Sequence, residues 1–451
     1  MNFARFDKYS RYLIGAALLI ALLTYWRFRD IELSSVYAYV AQQGVVHSAL
    51  SQNFSSARSL VWDFFGLINK FAMPHSITLL RIIGLVIMIL NFVLLSQMLN
   101  YILGQRFWGF LSVFMVALSP FAVVAAVSGG SAAIAVTISI LFLMAIYRNE
   151  YIFAGILSGV AFAANLPGLV MFLIVVLDLL QNLEDKKKII SRLLSAAAGF
   201  FGVVVLVYLY SMYSGITRLY SIPLGDSDLR WAIVGVIPLI IANLLNIAGI
   251  IYLVLRKRYD VYKTHFHTLM LWITSCALCF AQPSTLNLLV ALTVSSILSM
   301  FFLQGFASLW NFKPISADTF IFLFVFLFLS SALYSNNKYL NDVVVADCFQ
   351  KGEAVDEVIA AILPIHGEMQ LVSNFAPAEL SVKLGRTVYA VQGDLLPVEN
   401  FDNLTSQTIY VAKRLSKVDT LSNGCAALFG TTYTENRKDY FVQVIKCGGG
   451  K

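Results

Sequence analysis

Apolar residues come in long blocks over the first three quarters of this chain, separated by short polar breaks. A helix of about 20 apolar residues crosses a bilayer, and shorter ones occur where packing or a re-entrant turn allows. The blocks therefore predict spans near 11-27, 77-103, 108-127, 131-147, 151-164, 167-182, 190-213, 231-255, 266-282, 284-306 and 317-335, about eleven in all. Asn165-Leu166-Pro167-Gly168 interrupts the longest block, 151-182. Proline inside a helix removes a hydrogen bond and disfavours helix in the residue before it. Arg148 precedes this block and Lys186, Lys187, Lys188 and Arg192 follow it, so both ends read as cytoplasmic and the chain turns round near Asn165. Arg256, Lys257, Arg258 and Lys263 mark another inner loop, whereas the turns near Ser128-Gly129-Gly130-Ser131 and Gln282-Pro283-Ser284 carry no Lys or Arg. These assignments agree on an N-terminus inside, an odd number of spans and a C-terminus outside. The first block follows Arg5, Lys8 and Arg11 without a small-residue cleavage site after it, and reads as a retained signal anchor.

Two stretches break the apolar pattern. The outer loop from about 28 to 76 holds amphipathic pieces, Leu33 to Gln42 and Ala57 to Phe71, suited to lying along the membrane interface. From about 336 to 451 the pattern becomes that of a water-soluble domain. Helical periodicity at Ala354 to Leu363 is followed by strand-like runs at Gln370 to Ser373, Thr387 to Val391, Thr408 to Ala412 and Tyr440 to Ile445, with a helix opened by Pro377 and closed at Gly385. The pattern predicts two domains: a transmembrane one over 1-335 and a small α/β domain on the outer face over 336-451.

Composition agrees with the pattern. Of 451 residues, 59% are hydrophobic and 13% charged, and the mean hydropathy is +0.77, far from globular norms. The net charge of +7 sits largely in short inter-block loops; that distribution orients a membrane protein and does not call for nucleic acid. Five cysteines divide between the membrane and the tail. Cys276 and Cys279 form a C-x-x-C on an apolar helix and read as small packing residues. Cys348, Cys425 and Cys447 lie on the oxidising side, which allows one disulfide and leaves one thiol, with the pairing open.

Candidate chemistry concentrates where the first helix meets the outer water, in Arg27-Phe28-Arg29-Asp30-Ile31-Glu32. A carboxylate at a bilayer edge is costly unless paired or used. Arg27 and Arg29 pairing with Asp30 and Glu32 as a solvated cap is one reading; a reactive site is the other. Arg81, about one turn inside the second span, either snorkels to the interface or holds an anionic group. Asp63 reads as a solvated face residue, and His47 and His75 lack metal-ligand spacing. No serine-hydrolase elbow, Walker loop, H-E-x-x-H or Cys-His pair occurs. What remains is a site at the outer bilayer surface, fitted to a lipid-carried substrate: a carboxylate as general base toward an acceptor hydroxyl or amine, and arginines holding a phosphate leaving group.

The order of these pieces resembles the GT-C-type integral membrane glycosyltransferases, which include protein mannosyltransferases and enzymes using polyprenyl-phosphate sugars. Asp30-Ile31-Glu32 with Tyr37 and Tyr39 resembles the acidic pair of that superfamily's first external loop. Leu79-Leu80-Arg81-Ile82-Ile83-Gly84, Leu118-Ser119-Pro120 and Gly155-Ile156-Leu157-Ser158-Gly159-Val160-Ala161-Phe162-Ala163 resemble recurring segments of its second, third and fifth spans. The resemblance implies a polytopic α-helical fold with an outer α/β domain and a polyprenyl-phosphate sugar donor; the net charge and loop pattern suit a bacterial inner membrane rather than the endoplasmic reticulum. It implies Asp30 as catalytic base, Glu32 as its helper or a metal contact, and Arg81, Arg27, Arg29, Tyr37 and Asn165 at substrate-binding positions. A divalent metal beside Asp30 and Glu32 is the one cofactor it leaves open.

Three departures accompany the matches. An acidic residue common at the start of the fourth span is replaced by the uncharged Ser128 to Ala133, a lysine common at the break in the fifth helix is Asn165, and the basic-proline stretch late in the first loop is Ser59-Leu60-Val61-Trp62-Asp63. They keep a second expectation alive: a non-catalytic subunit or scaffold of the same fold, working with partner proteins. A transporter is the weaker alternative, since neither a repeat nor charged midplane residues are visible.

Overall fold

The computed structural model describes residues 22–26, 77–127, 131–163, 167–181, 186–214, 233–257, 263–281, 285–309, 317–340, 346–365, 369–386, 388–390, 408–415, 425–435 and 438–447, with Gly15 and Leu19. The chain divides into two compact units, one holding Arg81–Asn341 and the other Asp342–Lys451.

The first unit is a bundle of α1 (Ile77–Leu103), α2 (Arg106–Ala117), α3 (Pro120–Val127), α4 (Ser131–Tyr147), α5 (Tyr151–Ala163), α6 (Gly168–Gln181), α7 (Lys186–Ser214), α8 (Ile233–Leu255), α9 (Phe266–Ala281), α10 (Thr285–Leu309) and α11 (Ala317–Lys338). Among the described residues five helices, α1, α7, α8, α10 and α11, are long and apolar enough to cross a membrane. Four more, α4, α5, α6 and α9, are apolar but only 10–17 residues long. Most of the expected first span, 11-27, lies outside the described residues.

The expected span 108-127 is not one continuous helix: it breaks into α2 and α3, bent by 74°. Ser119 explains the break. Its hydroxyl accepts from Ala122 N (3.3 Å) and donates to Val116 O (2.8 Å), capping α3 with Pro120 at the first helical position, where no N–H is needed. The Leu118 carbonyl freed at the bend accepts a hydrogen bond from the Asn336 amide of α11.

Helix α10 forms the centre: most of Leu286–Gly305 is buried, and little of Lys187–Leu209 in α7. Its inner side is polar. Thr293, Ser295, Ser296 and Ser299 are fully buried. Ser296 Oγ meets Ser112 Oγ of α2 at 2.7 Å, and Ser295 and Ser299 each donate to α8, on Asn243 Oδ1 and Asn246 Oδ1 (both 2.8 Å). In lipid, where burying apolar surface drives little helix association, such bonds and small-residue contacts hold helices together. The Cys276 and Cys279 thiols point at Asn243 Oδ1 (3.8 Å) and the Asn287 carbonyl (3.1 Å), as packing residues would. Helices α5 and α7 show the small-residue contact at its closest. A Cβ on Gly155 would sit 2.0 Å from Ala196 O, and one on Gly159 2.8 Å from Val203 Cβ.

The second unit is an α/β domain: α12 (Ala346–Ile362), β1 (Gln370–Ser373), α13 (Pro377–Leu384), β2 (Val388–Ala390), β3 (Thr408–Arg414), β4 (Cys425–Glu435) and β5 (Lys438–Cys447). Strand order is β2-β1-β3-β5-β4, with β1 parallel to β2 and β3, and β5 antiparallel to β3 and β4. Val355, Val358 and Ile362 of α12 pack on Leu371, Val388, Val411, Val442 and Val444, with Phe375 and Leu380. Four strands and both helices fall where the sequence placed them; β4 is added. Gly385 closes α13 in the left-handed conformation at φ 62°. Cys425 and Cys447, directly opposed in the β4–β5 register, form the disulfide.

Candidate functional site

Asp30, Glu32, Arg27, Arg29, Tyr37 and Asn165 lie outside the described residues, as do His47, Asp63, His75 and the turn at 128–130. Arg81 is described, one turn into α1. The Tyr25 hydroxyl donates to the Arg81 carbonyl at 3.2 Å, which ties the end of the first helical segment to the start of α1. Below this contact Leu22 and Tyr25 meet Leu85, Met88 and Phe92 of α1 and Ala122 and Val123 of α3 around a small apolar pocket. At the start of α4 the uncharged turn ends in buried alanines: Ala132 and Ala133 are buried, and the Asn91 amide of α1 donates to Ala133 O (2.6 Å) while Thr137 Oγ1 donates to Asn91 Oδ1 (2.6 Å).

A second cleft opens between four helices. Its walls are Ala135 and Ser139 of α4, Val170 and Met171 of α6 with Pro167 just before it, Leu271, Thr274, Ser275 and Leu278 of α9, and Leu286, Asn287 and Val290 of α10. Its lining is mostly apolar with a few hydroxyls and one amide, the character of sites that hold the hydrocarbon part of a ligand. The start of α6 lies close against α5: a Cβ on Gly168 would lie 2.2 Å from Phe162 N and 2.3 Å from Ser158 O, so only glycine fits there.

The same helices carry a polar cluster that sequence reasoning missed. Asp178 of α6 and His267 of α9 are both buried, and His267 Nδ1 donates to Asp178 Oδ1 at 3.2 Å. The Tyr147 ring of α4 stands edge-on to His267, centroids 4.3 Å apart. Tyr147 Oη lies 2.8 Å from His265 Nδ1 and 3.0 Å from Thr268 Oγ1, and His265 stacks on Phe301 of α10 at 3.9 Å. One signal was available: Asp178 is an acid within an expected span, and such a residue is a functional candidate by default. Its partner lies 89 positions away, beyond any local pattern. Among the described residues no group of three or more His, Cys, Asp or Glu side chains is placed to hold a metal.

Bundle, cleft and tail together define a polytopic helical membrane protein with an appended α/β domain. Among solved structures the chain is similar to ArnT from Cupriavidus metallidurans bound to undecaprenyl phosphate, with a TM-score of 0.55 and 14% identity, over 95% of this chain and 97% of that one. The apo state of the same protein gives a TM-score of 0.55 and 15% identity over the same shares. The GT-C-type architecture expected from the motifs is borne out as a fold. No family model and no curated protein sequence matches the chain.

Proposed function

We propose that the protein is a membrane glycosyltransferase that moves a sugar from a polyprenyl-phosphate carrier to an acceptor on the outer face of a bacterial inner membrane. The observation that carries this reading is the end-to-end fold likeness, tail included, to a protein crystallised with undecaprenyl phosphate. The proposed topology has the N-terminus in the cytoplasm and the domain over 336-451 outside, as the loop charges ask. In the reaction the acceptor oxygen or nitrogen attacks the anomeric carbon while the bond from that carbon to the carrier phosphate breaks. Asp30 takes the acceptor's proton, and the polyprenyl phosphate leaves with its charge on Arg81, Arg27 and Arg29. Glu32 supports Asp30, and Tyr37 and Asn165 contact the substrate. Asp30 follows Tyr25 by five positions and Glu32 by seven, a reach of at most about 18 and 25 Å of extended chain, which supports a site near the Tyr25 contact. The four-helix cleft suits the apolar chain of the carrier.

The test is transfer from a panel of undecaprenyl-phosphate-linked sugars in proteoliposomes. Asp30→Asn is expected to abolish transfer while the protein still inserts and keeps its wild-type elution and melting profile. Near-normal transfer by that variant removes Asp30 as the base.

A specific observation favours a second reading, a non-catalytic scaffold of the same fold. Where the superfamily commonly carries an acid, Ala132 and Ala133 are buried and Asn91 and Thr137 fill the space between α1 and α4. The scaffold reading predicts a stable co-purifying partner and function undiminished in Asp30→Asn; a lone, active monomer excludes it.

A further inference from the structure

On α4, α6 and α10 the cleft residues precede those of the Asp178 cluster, and on α9 they follow them. On α4 the cleft residues Ala135 and Ser139 precede Tyr147; on α6 Met171 precedes Asp178; on α9 His267 precedes Leu271 and Thr274; on α10 Leu286, Asn287 and Val290 precede Phe301. Met171 and Asp178 are two turns apart, about 10 Å along the axis, and His267 lies one and two turns from Leu271 and Thr274, so each set shares a helix face. The polar cluster is therefore stacked beneath the apolar cleft, on the walls that form it. Every helix that walls the cleft contributes to that cluster.

We infer that Asp178 and His267 are positioning residues that set the bore of this cleft. Their hydrogen bond fixes the spacing of α6 and α9 at the closed end, and that spacing determines whether an apolar chain fits between Met171 and Thr274 further along. Within the described residues His267 Nε2 makes no hydrogen bond, so the contact with Asp178 is the ring's whole polar anchoring to the protein. The edge-on ring of Tyr147 closes the third side. On α6's other flank Tyr151 of α5 interacts with the Asp178 side chain and with Arg192 of α7, whose guanidinium lies 5.3 Å from the Tyr151 ring centre. Asp178 is thus held from α5 as well as α9. This inference rests on the reading that the cleft receives the carrier's chain.

The experiment measures equilibrium binding of tritiated undecaprenyl phosphate to the detergent-solubilised full chain, with a melting curve for each variant. Asp178→Asn keeps an acceptor for His267 and is expected to bind within twofold of wild type. His267→Leu is expected to lose at least fivefold. It takes one partner from a buried carboxylate and so risks misfolding. The paired variant Asp178→Leu with His267→Leu removes both polar groups and leaves no buried charge unpaired; it is expected to melt near wild type and still bind at least fivefold more weakly. Thr274→Leu, which fills the cleft without touching the cluster, is expected to abolish binding. A wild-type protein that does not bind the probe overturns the carrier reading. If wild type binds and Thr274→Leu does not, a folded paired variant with wild-type affinity overturns the positioning role alone. Unchanged binding by Thr274→Leu overturns the cleft as the seat of the chain, and the positioning role with it.

Discussion

The two units bury opposite things at their centres. The α/β domain hides Val355, Val358, Val411 and Val444 at full burial between helix and sheet. The helical unit instead turns hydroxyls and amides inward along α10, while Leu206 and Leu244 stand more than half exposed on its outside. The contrast follows from the solvent each unit meets. In water, apolar burial is the driving force and about 25 cal/mol per Å2 is gained by it. In lipid that gain vanishes between helices, and close backbone approach and interhelical hydrogen bonds take its place.

Substitutions that attack the means of cohesion peculiar to each unit test this contrast. The largest effect is expected for Gly155→Leu: the new side chain meets Ala196 backbone rather than a side chain that can yield, and overpacking of at least about 3 kcal/mol should leave no monodisperse peak in size-exclusion chromatography. Replacing Cys425 and Cys447 by serine opens a crosslink of sequence separation 22 and is expected to cost the tail about 2–4 kcal/mol. Chemical denaturation followed by a tail-specific probe reads this, and the helical unit's melting should not move. Asn246→Leu removes the bonds to Ser299 Oγ and Ser295 O, but Ser299 also donates to Ser295 O at 2.8 Å, so about 1 kcal/mol is expected, seen as a small drop in the membrane unit's melting temperature. The smallest effect belongs to Asp356→Asn. The exposed Asp356 meets Lys383 at 2.9 Å, and such a pair contributes about 0.2–1 kcal/mol, fading as salt is raised; a comparable loss at high salt contradicts a screened surface pair.

What was legible in the sequence follows the same division. The strand at Gln370–Ser373 and the helix from Pro377 to Gly385 were read from local signals, a short apolar run and a proline–glycine bracket, because those signals act within a few residues. Strand β4 escaped because it lies at the sheet edge and carries Thr431, Thr432 and Thr434 with only partial burial, so no strong alternation marks it. The break at Ser119 was hidden by apolar residues on both sides: hydropathy averages over a cap that a single hydroxyl makes. The Asp178–His267 pair joins α6 to α9 across the bundle, and no window along the chain contains both. Of the expected site, only Arg81 falls among the described residues, and what is seen there is its carbonyl engaged by Tyr25.

The disulfide carries a consequence for how the tail reaches its native state. Between Glu435 and Phe429, β4 pairs with β5 in the register set by the hairpin turn, Glu435 opposite Lys438 and Phe429 opposite Val444. Beyond Leu428 the register shifts by one residue, so that Ala427 faces Ile445 and Cys425 faces Cys447. Had the ladder run on unbroken, Cys447 would oppose Ala426, and the two thiols would point to opposite faces of the sheet. Oxidation is therefore a proofreading step: it can seal only the hairpin that has already taken up its bulge, and it leaves the slipped, regular hairpin open to unzip and try again.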